Sequence, residues 1–258
     1  MILIGCIVQA RMGSSRLPGK VMMDLDGNNC LLDYVLNQLN CSKLIDKIIV
    51  ATTKLKEDKQ IVNHVKKYNL EAFCGSSNDL LDRYYQCAKK NNLEHIVRIT
   101  ADNPLIDPKI VDMVIEKYNN TEYEYVTNAL IRTYPNGVET EVFSMNVLEK
   151  AWENAVLPSE REHVTPYIQN PKNKFKVLNI KYNENISHLR WTVDRINDLK
   201  LVKCIVKQIK TRPITMKEIL ELNKKDPNLK KINQDYIQNE GFVKSLKEDQ
   251  KYLNNEKS

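Results

Sequence analysis

The sequence predicts an α/β fold, a mainly parallel sheet flanked by helices. Three observations carry that expectation. Short apolar runs alternate with segments whose apolar residues recur at helical spacing. The first run, residues 2–8, passes directly into a basic loop holding small residues. A chain of 258 residues can bury a core that needs neither disulfide nor structural metal.

In chain order, residues 2–8 are the first strand and residues 24–28 a turn. Leu32, Val35, Leu36 and Leu39 mark one face of a helix. Residues 47–51 form the second strand, ended by Thr52-Thr53, and Ile61, Val62, Val65 and Tyr68 mark the next helix. Residues 71–74 form a third strand. Its end meets Gly75-Ser76-Ser77-Asn78-Asp79, a turn supplying helix-capping side chains for a helix that reaches about Asn91. Residues 95–100 are the fourth strand. After the helix start at Asp107-Pro108 and a strand at 123–127 the pattern loosens. It gives a turn at 134–137, a half-exposed strand at 138–143 and helices at 145–154 and from 160. Strands at 175–180 and 189–193 follow, then helices at 196–210 and 215–223. We expect one main domain over 1–212, with an irregular insertion at about 128–187. In a polar helical C-terminal extension, 213–258, the chain beyond Pro227 should be irregular or helical, fraying into a polar end.

Composition narrows the class. The six cysteines, at 6, 30, 41, 74, 87 and 204, include no Cys-x-x-Cys pair, which argues against zinc and for a reducing compartment. No run approaches the roughly 18 apolar residues of a membrane span. The protein is expected to be soluble and cytoplasmic, without a membrane partner. The formal charge of +6 raises nucleic-acid binding. Much of the lysine excess falls after Arg212, however, where it reads as a solvated face, and no interleaved aromatic and basic surface is present.

The chemistry centres on Gln9-Ala10-Arg11-Met12-Gly13-Ser14-Ser15-Arg16-Leu17-Pro18-Gly19-Lys20. Arg11, Arg16 and Lys20 alternate with small residues, so side-chain charge and backbone N–H groups can converge on a polyanion, naturally a nucleoside triphosphate. Open α/β sheets bind ligands beyond their strand ends, and this loop stands there. Asp102 and Asp194 each follow an apolar strand-like run, where a carboxylate needs a cation or a helix to cap. Cations along the phosphates and carboxylates holding magnesium are what nucleotidyl transfer requires.

The segment from Ala10 to Lys20, Ala-Arg-x-x-Ser-x-Arg-Leu-Pro-Gly-Lys, resembles the N-terminal signature of the cytidylyltransferases that make CMP-activated sugar acids, particularly the SpsF-like branch of spore-coat polysaccharide synthesis. The resemblance covers most of residues 2–200. It implies a Rossmann-like, GT-A-like nucleotidyltransferase sheet. Arg11, Arg16 and Lys20 would then hold the CTP triphosphate, with Gly13 and Ser14 adding backbone and hydroxyl contacts beside Ala10. Thr100-Ala101-Asp102-Asn103-Pro104-Leu105-Ile106 is similar to the family's Gly-Asp-x-Pro-Leu-Ile segment, with Ala101 in place of its glycine. Arg190-Trp191-Thr192-Val193-Asp194 resembles its later Val-Asp segment. Asp102 and Asp194 would thus be magnesium ligands, with Thr100 and Ala101 at the nucleotide. Residues 75–84, with Ser76, Asp79 and Arg83, resemble an Asp-Val-Leu-x-Arg-Tyr segment and imply contact with base or ribose. The preference for cytosine rests on the family likeness alone.

Candidates for the acceptor pocket are Asn128, Tyr134, Asn136, Glu139, Glu141, Glu160, Arg161 and His163. The reading is a magnesium-dependent cytidylyltransferase with CTP and an acidic small molecule as substrates. A homodimer through residues 128–167 is implied only by the family. Two alternatives stand beside it. One is a glycosyltransferase of related fold, for which Asp24-Leu25-Asp26 has the right spacing in an unpromising early turn. The other is a non-catalytic nucleotide- or RNA-binding module.

Overall fold

The computed structural model describes residues 3–234, 236 and 240–255. Among these, seven strands form one sheet in the order β3-β2-β1-β4-β6-β5-β7. β1 (Ile4–Gln9), β2 (Lys47–Thr53), β3 (Glu71–Gly75) and β4 (His95–Thr100) are its parallel half. β1 lies between β2 and β4 and reads as a nearly continuous apolar run because both its faces are covered. Cys6 and Val8 face one half of the core and Ile7 the other, the two-residue period of a strand. The remaining strands are β5 (Tyr125–Thr127), β6 (Glu141–Ser144) and β7 (Val177–Asn179). β6 runs antiparallel to β4 and β5, and β5 pairs parallel with β7, so the sheet is mainly parallel as expected.

Crossover helices connect the parallel strands. α1 (Leu31–Leu39) and α2 (Lys59–Val65) lie on the Cys6 face, and α3 (Leu80–Lys90) lies on the Ile7 face. Leu81, Tyr84, Cys87 and Ala88 of α3 are all fully buried, and burying each larger apolar side chain contributes about 1.5–3 kcal/mol. α4 (Pro108–Asn119) starts where Asp107 caps the Lys109 N–H at 2.9 Å with proline in the first turn. α5 (Met145–Asn154), α6 (Pro158–His163) and α7 (Pro166–Gln169) follow β6. α8 (Ile196–Gln208) and α9 (Met216–Lys225) return to the Cys6 face.

Two expectations need correction. Residues 189–193 are extended but do not enter the sheet; they pair with Asn136, whose carbonyl accepts from Trp191 N at 2.6 Å and from Thr192 N at 3.2 Å. The strand expected at 138–143 begins only at Glu141. Within the C-terminal segment, α10 (Glu240–Asn255) is helical and packs on α6. Residues 235, 237–239 and 256–258 of that extension lie outside the described residues.

The turn at Asn136-Gly137 depends on glycine. Gly137 has φ 116°, and a Cβ there would lie 2.7 Å from Thr192 N and 2.8 Å from Trp191 C. Its absence lets the 189–193 segment lie against the turn and end at the mouth of the sheet.

Candidate active site

The basic loop leaves β1 with a fixed shape. Ala10 N donates to Ala51 O at 3.0 Å, Met12 N donates to the buried Asp58 carboxylate at 2.7 Å, and Gly19 N returns to Met12 O at 2.8 Å. Gly19 takes the left-handed conformation, φ 72°, at the turn into a 3-10 segment that starts with Lys20. The loop therefore curls back on itself. Arg16 and Lys20 point to one side, while Gly13 stands on the outer side, near Glu57.

Lys20, only 8% exposed, joins the two distant acidic segments. Its Nζ donates to Asp102 Oδ2, to Asp194 Oδ1 and to the Val193 carbonyl, each at 2.8 Å. The main chain enforces the meeting: Val193 N donates to Asp102 O at 2.8 Å and the Thr192 hydroxyl donates to the same oxygen at 3.2 Å. Arg16 pairs with Asp194 Oδ1 at 2.6 Å, and Arg190 with Asp194 Oδ2 at 2.9 Å. Asp198 holds Arg190 by a second pair at 2.9 Å and accepts the Asp194 and Arg195 N–H groups.

Burial pushes the Asp194 carboxyl up, but Lys20 and Arg16 outweigh it and hold it well below the usual carboxylate range. For Lys20, burial favours the neutral amine. The two carboxylates prevail and raise its pKa, keeping it charged.

Two connected clefts open on this point. One, of about 810 Å³, is walled by Gln9, Ala10, Arg11, Ser14, Arg16, Lys20, Arg83, Thr100, Ala101, Arg161 and residues of α10. The other, of about 580 Å³, is walled by Asn103, Arg132, Asn136, Glu139, Glu141, Gln169, Arg190 and Thr192. Arg16, Arg98, Thr100, Asp102, His163, Asp194, Glu240 and Gly241 belong to both.

Arg83 is 2% exposed; its Nε donates to the Ser76 carbonyl at 2.8 Å, and no carboxylate pairs with it among the described residues. Burial, and then the neighbouring Arg11 charge, lower its pKa. A guanidinium in that position has spare donors for an anion. Arg11 is more exposed and pairs with Glu162 at 3.1 Å.

Other expected residues have different places. Ser76 and Asp79 shape the start of α3: the Ser76 hydroxyl accepts from Asp79 N at 3.1 Å, and Asp79 accepts from Asp82 N at 2.8 Å and pairs with Arg161. That pair holds Arg161 at the larger cleft, not the smaller one. Asn128 is buried, donating to Val138 O at 3.0 Å and accepting from Thr140 N at 2.8 Å, so it staples the chain between β5 and β6. Tyr134 packs in the core, and Glu160 caps the Val156 and Leu157 N–H groups at 3.1 Å. Asn128, Tyr134, Glu160, Ser76, Asp79 and Gly13 line neither cleft. Asn136, Glu139, Glu141 and His163 do line the smaller one.

Arg98 was not singled out by the sequence reading. It projects from β4 where the two clefts join and pairs with Glu141, which also accepts from Tyr125 OH at 2.5 Å and Thr165 at 2.8 Å. Its one sequence signal is a cation inside the apolar run of residues 95–100. Burial opposes its charge, but Glu141 raises its pKa. Glu139 similarly holds Arg132 at 2.6 Å.

The donor set at the junction suits a hard divalent ion in one respect. Among the described residues, Asp102 keeps one oxygen free of cations, bonded only to the Thr100 hydroxyl, whereas both Asp194 oxygens carry Lys20, Arg16 or Arg190. Magnesium takes one or two carboxylates beside phosphate and water oxygens, so Asp102 is the better fit and Asp194 the anchor of the cations. Asp24 and Asp26 sit in an exposed turn that borders neither cleft.

A family model described as cytidylyltransferase matches residues 5–251. The chain is 40% identical over 235 residues to the uncharacterized protein MJ1063 of Methanocaldococcus jannaschii, covering 90% of this chain and 95% of that one. It is 31% identical over 232 residues to the spore coat polysaccharide biosynthesis protein SpsF of Bacillus subtilis, covering 86% and 94%. A 3-deoxy-manno-octulosonate cytidylyltransferase of Trichlorobacter lovleyi matches at 32% over 117 residues, 45% of this chain and 44% of that one. Among solved structures, a cytidylyltransferase from Leptospira borgpetersenii superposes with TM-score 0.85 at 35% identity, covering 92% of this chain and 99% of the other. The chain therefore belongs to the cytidylyltransferase family, within its SpsF-like branch, and is a nucleotidyltransferase.

Proposed function

We propose that this enzyme transfers CMP from CTP to an acidic sugar, or a related small acid or phosphate, releasing pyrophosphate with the help of magnesium. Its product would feed the synthesis of a surface polysaccharide or glycoconjugate in the cytoplasm, and the working form would be a homodimer through residues 128–167. One observation carries the reading: Lys20 of the loop meets Asp102 and Asp194 where a larger basic cleft joins a smaller polar one.

CTP occupies the larger cleft, with its phosphates along Arg11, Ser14, Arg16 and Lys20. Arg83 and the Thr100-Ala101 backbone lie toward base and ribose. The acceptor occupies the smaller cleft, so that its nucleophilic oxygen reaches the α-phosphorus at the junction and pyrophosphate leaves along the loop. No covalent enzyme intermediate is needed for in-line attack. Positioning and neutralisation of charge carry the rate. Asp102 would hold magnesium, which neutralises phosphate charge and polarises the α-phosphoryl group when bound. Lys20 and Arg16, aimed by Asp194, neutralise the departing pyrophosphate.

In the smaller cleft Arg98 and Arg132 are fixed by Glu141 and Glu139, giving alternating donors and acceptors that suit a polyhydroxylated acid. The test is pyrophosphate release with CTP and magnesium across a panel of sugar acids, 3-deoxy-manno-octulosonate included, and phosphorylated acids. Turnover with CTP and one acidic acceptor is expected. Release with no member of the panel, or equally well with every triphosphate, would count against it.

A further inference from the structure

The C-terminal helix α10 has no role in the chemistry so far, yet it forms a wall of both clefts. Its first turn brings Glu240 and Gly241 to their junction, and Lys244, Ser245 and Glu248 face the larger cleft. A Cβ built on Gly241 would stand 3.7 Å from Arg16 Nη1, an ordinary contact, so the helix lies directly beside the phosphate-loop cation.

The helix is held there at several points along its length. Glu240 takes both carboxylate contacts of Arg195, at 2.8 and 3.0 Å. The Phe242 ring meets His163 edge-on at 5.2 Å between centroids, and Ser245 Oγ is 3.0 Å from His163 Nε2. Asp249 accepts the Ser159 N–H at 2.8 Å. Ser245 and Asp249 are buried by this docking, although the chain around them is strongly polar. Polar groups spaced four residues apart and matched one by one to α6 specify a seat, not a solvated tail.

Within that seat Lys244 is the cation α10 presents to the larger cleft. Its nearest carboxylate among the described residues, Glu248, is 3.8 Å away and 47% exposed, too loose to neutralise it. Lys247, three residues on, is equally basic and exposed but borders neither cleft.

We propose that α10 is part of the nucleoside triphosphate site, with Lys244 contacting the terminal phosphates in the cleft it shares with Arg11, Arg16 and Lys20. This rests on the reading of the larger cleft as the CTP site. Phosphates bound there meet the loop cations and the Lys244 ammonium together, with α10 as one wall of the cleft.

The experiment titrates CTP and CMP, each with magnesium, into the full chain and into the variants Lys244→Ala, Lys244→Arg and Lys247→Ala by calorimetry at low salt. Lys244→Ala should weaken CTP binding roughly three- to tenfold and CMP binding far less, with Lys244→Arg near the parent and Lys247→Ala within about twofold. If Lys244→Ala matches Lys247→Ala, loses CTP and CMP affinity alike, or binds CTP more tightly, the inference is overturned while the CTP site itself survives. If the parent chain binds no CTP, both fall.

Discussion

At the scale of single residues, the centre of the site is one ammonium shared by two carboxylates from distant parts of the chain. Removing it leaves Asp102 and Asp194 facing each other without their bridge, so Lys20→Ala should lower turnover by about 100-fold or more while costing about 1–3 kcal/mol of stability, because Asp194 keeps Arg16 and Arg190. Turnover with CTP and loss on thermal denaturation check the two effects separately, and a variant with unimpaired turnover would contradict the role. The interaction also fixes a pH window. The Asp194 pKa lies below its unfolded value and that of Lys20 above it. This one interaction therefore stabilises the fold above the unfolded carboxylate value of about 4 and below the unfolded lysine value of about 10. It is lost as pH falls through the native Asp194 pKa or rises through the native Lys20 pKa. In Asp194→Asn the acid limb of the stability profile should flatten, as measured by denaturant unfolding between about pH 5 and 2. Asp102 and Asp194 were readable in sequence because each follows an apolar strand-like run, and Lys20 because it belongs to the basic loop that the first run leads into. Asn128 and Glu160 misled, because a polar residue in an irregular segment serves backbone satisfaction as readily as a ligand.

At the scale of elements, the turn at Gly137 and the helix α6 decide how the site is assembled. Gly137→Ala forces a side chain into the backbone of Trp191 and Thr192 at a positive φ, and should destabilise by about 2 kcal/mol or more. It should also weaken activity, because the same segment delivers Asp194; chemical denaturation and turnover report the two effects. His163 ends α6 under α10. Its pKa is lowered to about 4, chiefly by burial and next by Arg98, while Asp249 and Glu141 oppose and Arg11 assists the shift. The unfolded imidazole protonates near 6.5, so the native state loses stability as pH falls from about 6.5 to about 4, by on the order of 2–3 kcal/mol. His163→Gln should remove that slope in an unfolding series across the range. The parallel half of the sheet was legible from apolar runs and helical periods. The segment at 189–193 was not, because an apolar run buried against a glycine turn has the same pattern as one paired in a sheet.

At the scale of the whole molecule, distant parts of the chain close around one junction. The loop after β1, the ends of β4 and residues 189–194, the end of α6 and the first turn of α10 all meet there. The order of motifs along the chain revealed the first three. The contribution of α10 was hidden because its lysines and glutamates look alike whether they face solvent or a cleft; only the docking of Ser245 and Asp249 on α6 separates the two. The most direct measurement is therefore of ligand affinity, independent of the acceptor. Calorimetric titration with cytidine, CMP, CDP and CTP in the presence of magnesium should show affinity rising steeply with each added phosphate, and Lys20→Ala should lose most of the rise between CMP and CTP. Equal affinities for cytidine and CTP, or a Lys20→Ala variant that keeps the full rise, would contradict a triphosphate held by the loop at the meeting of Asp102 and Asp194.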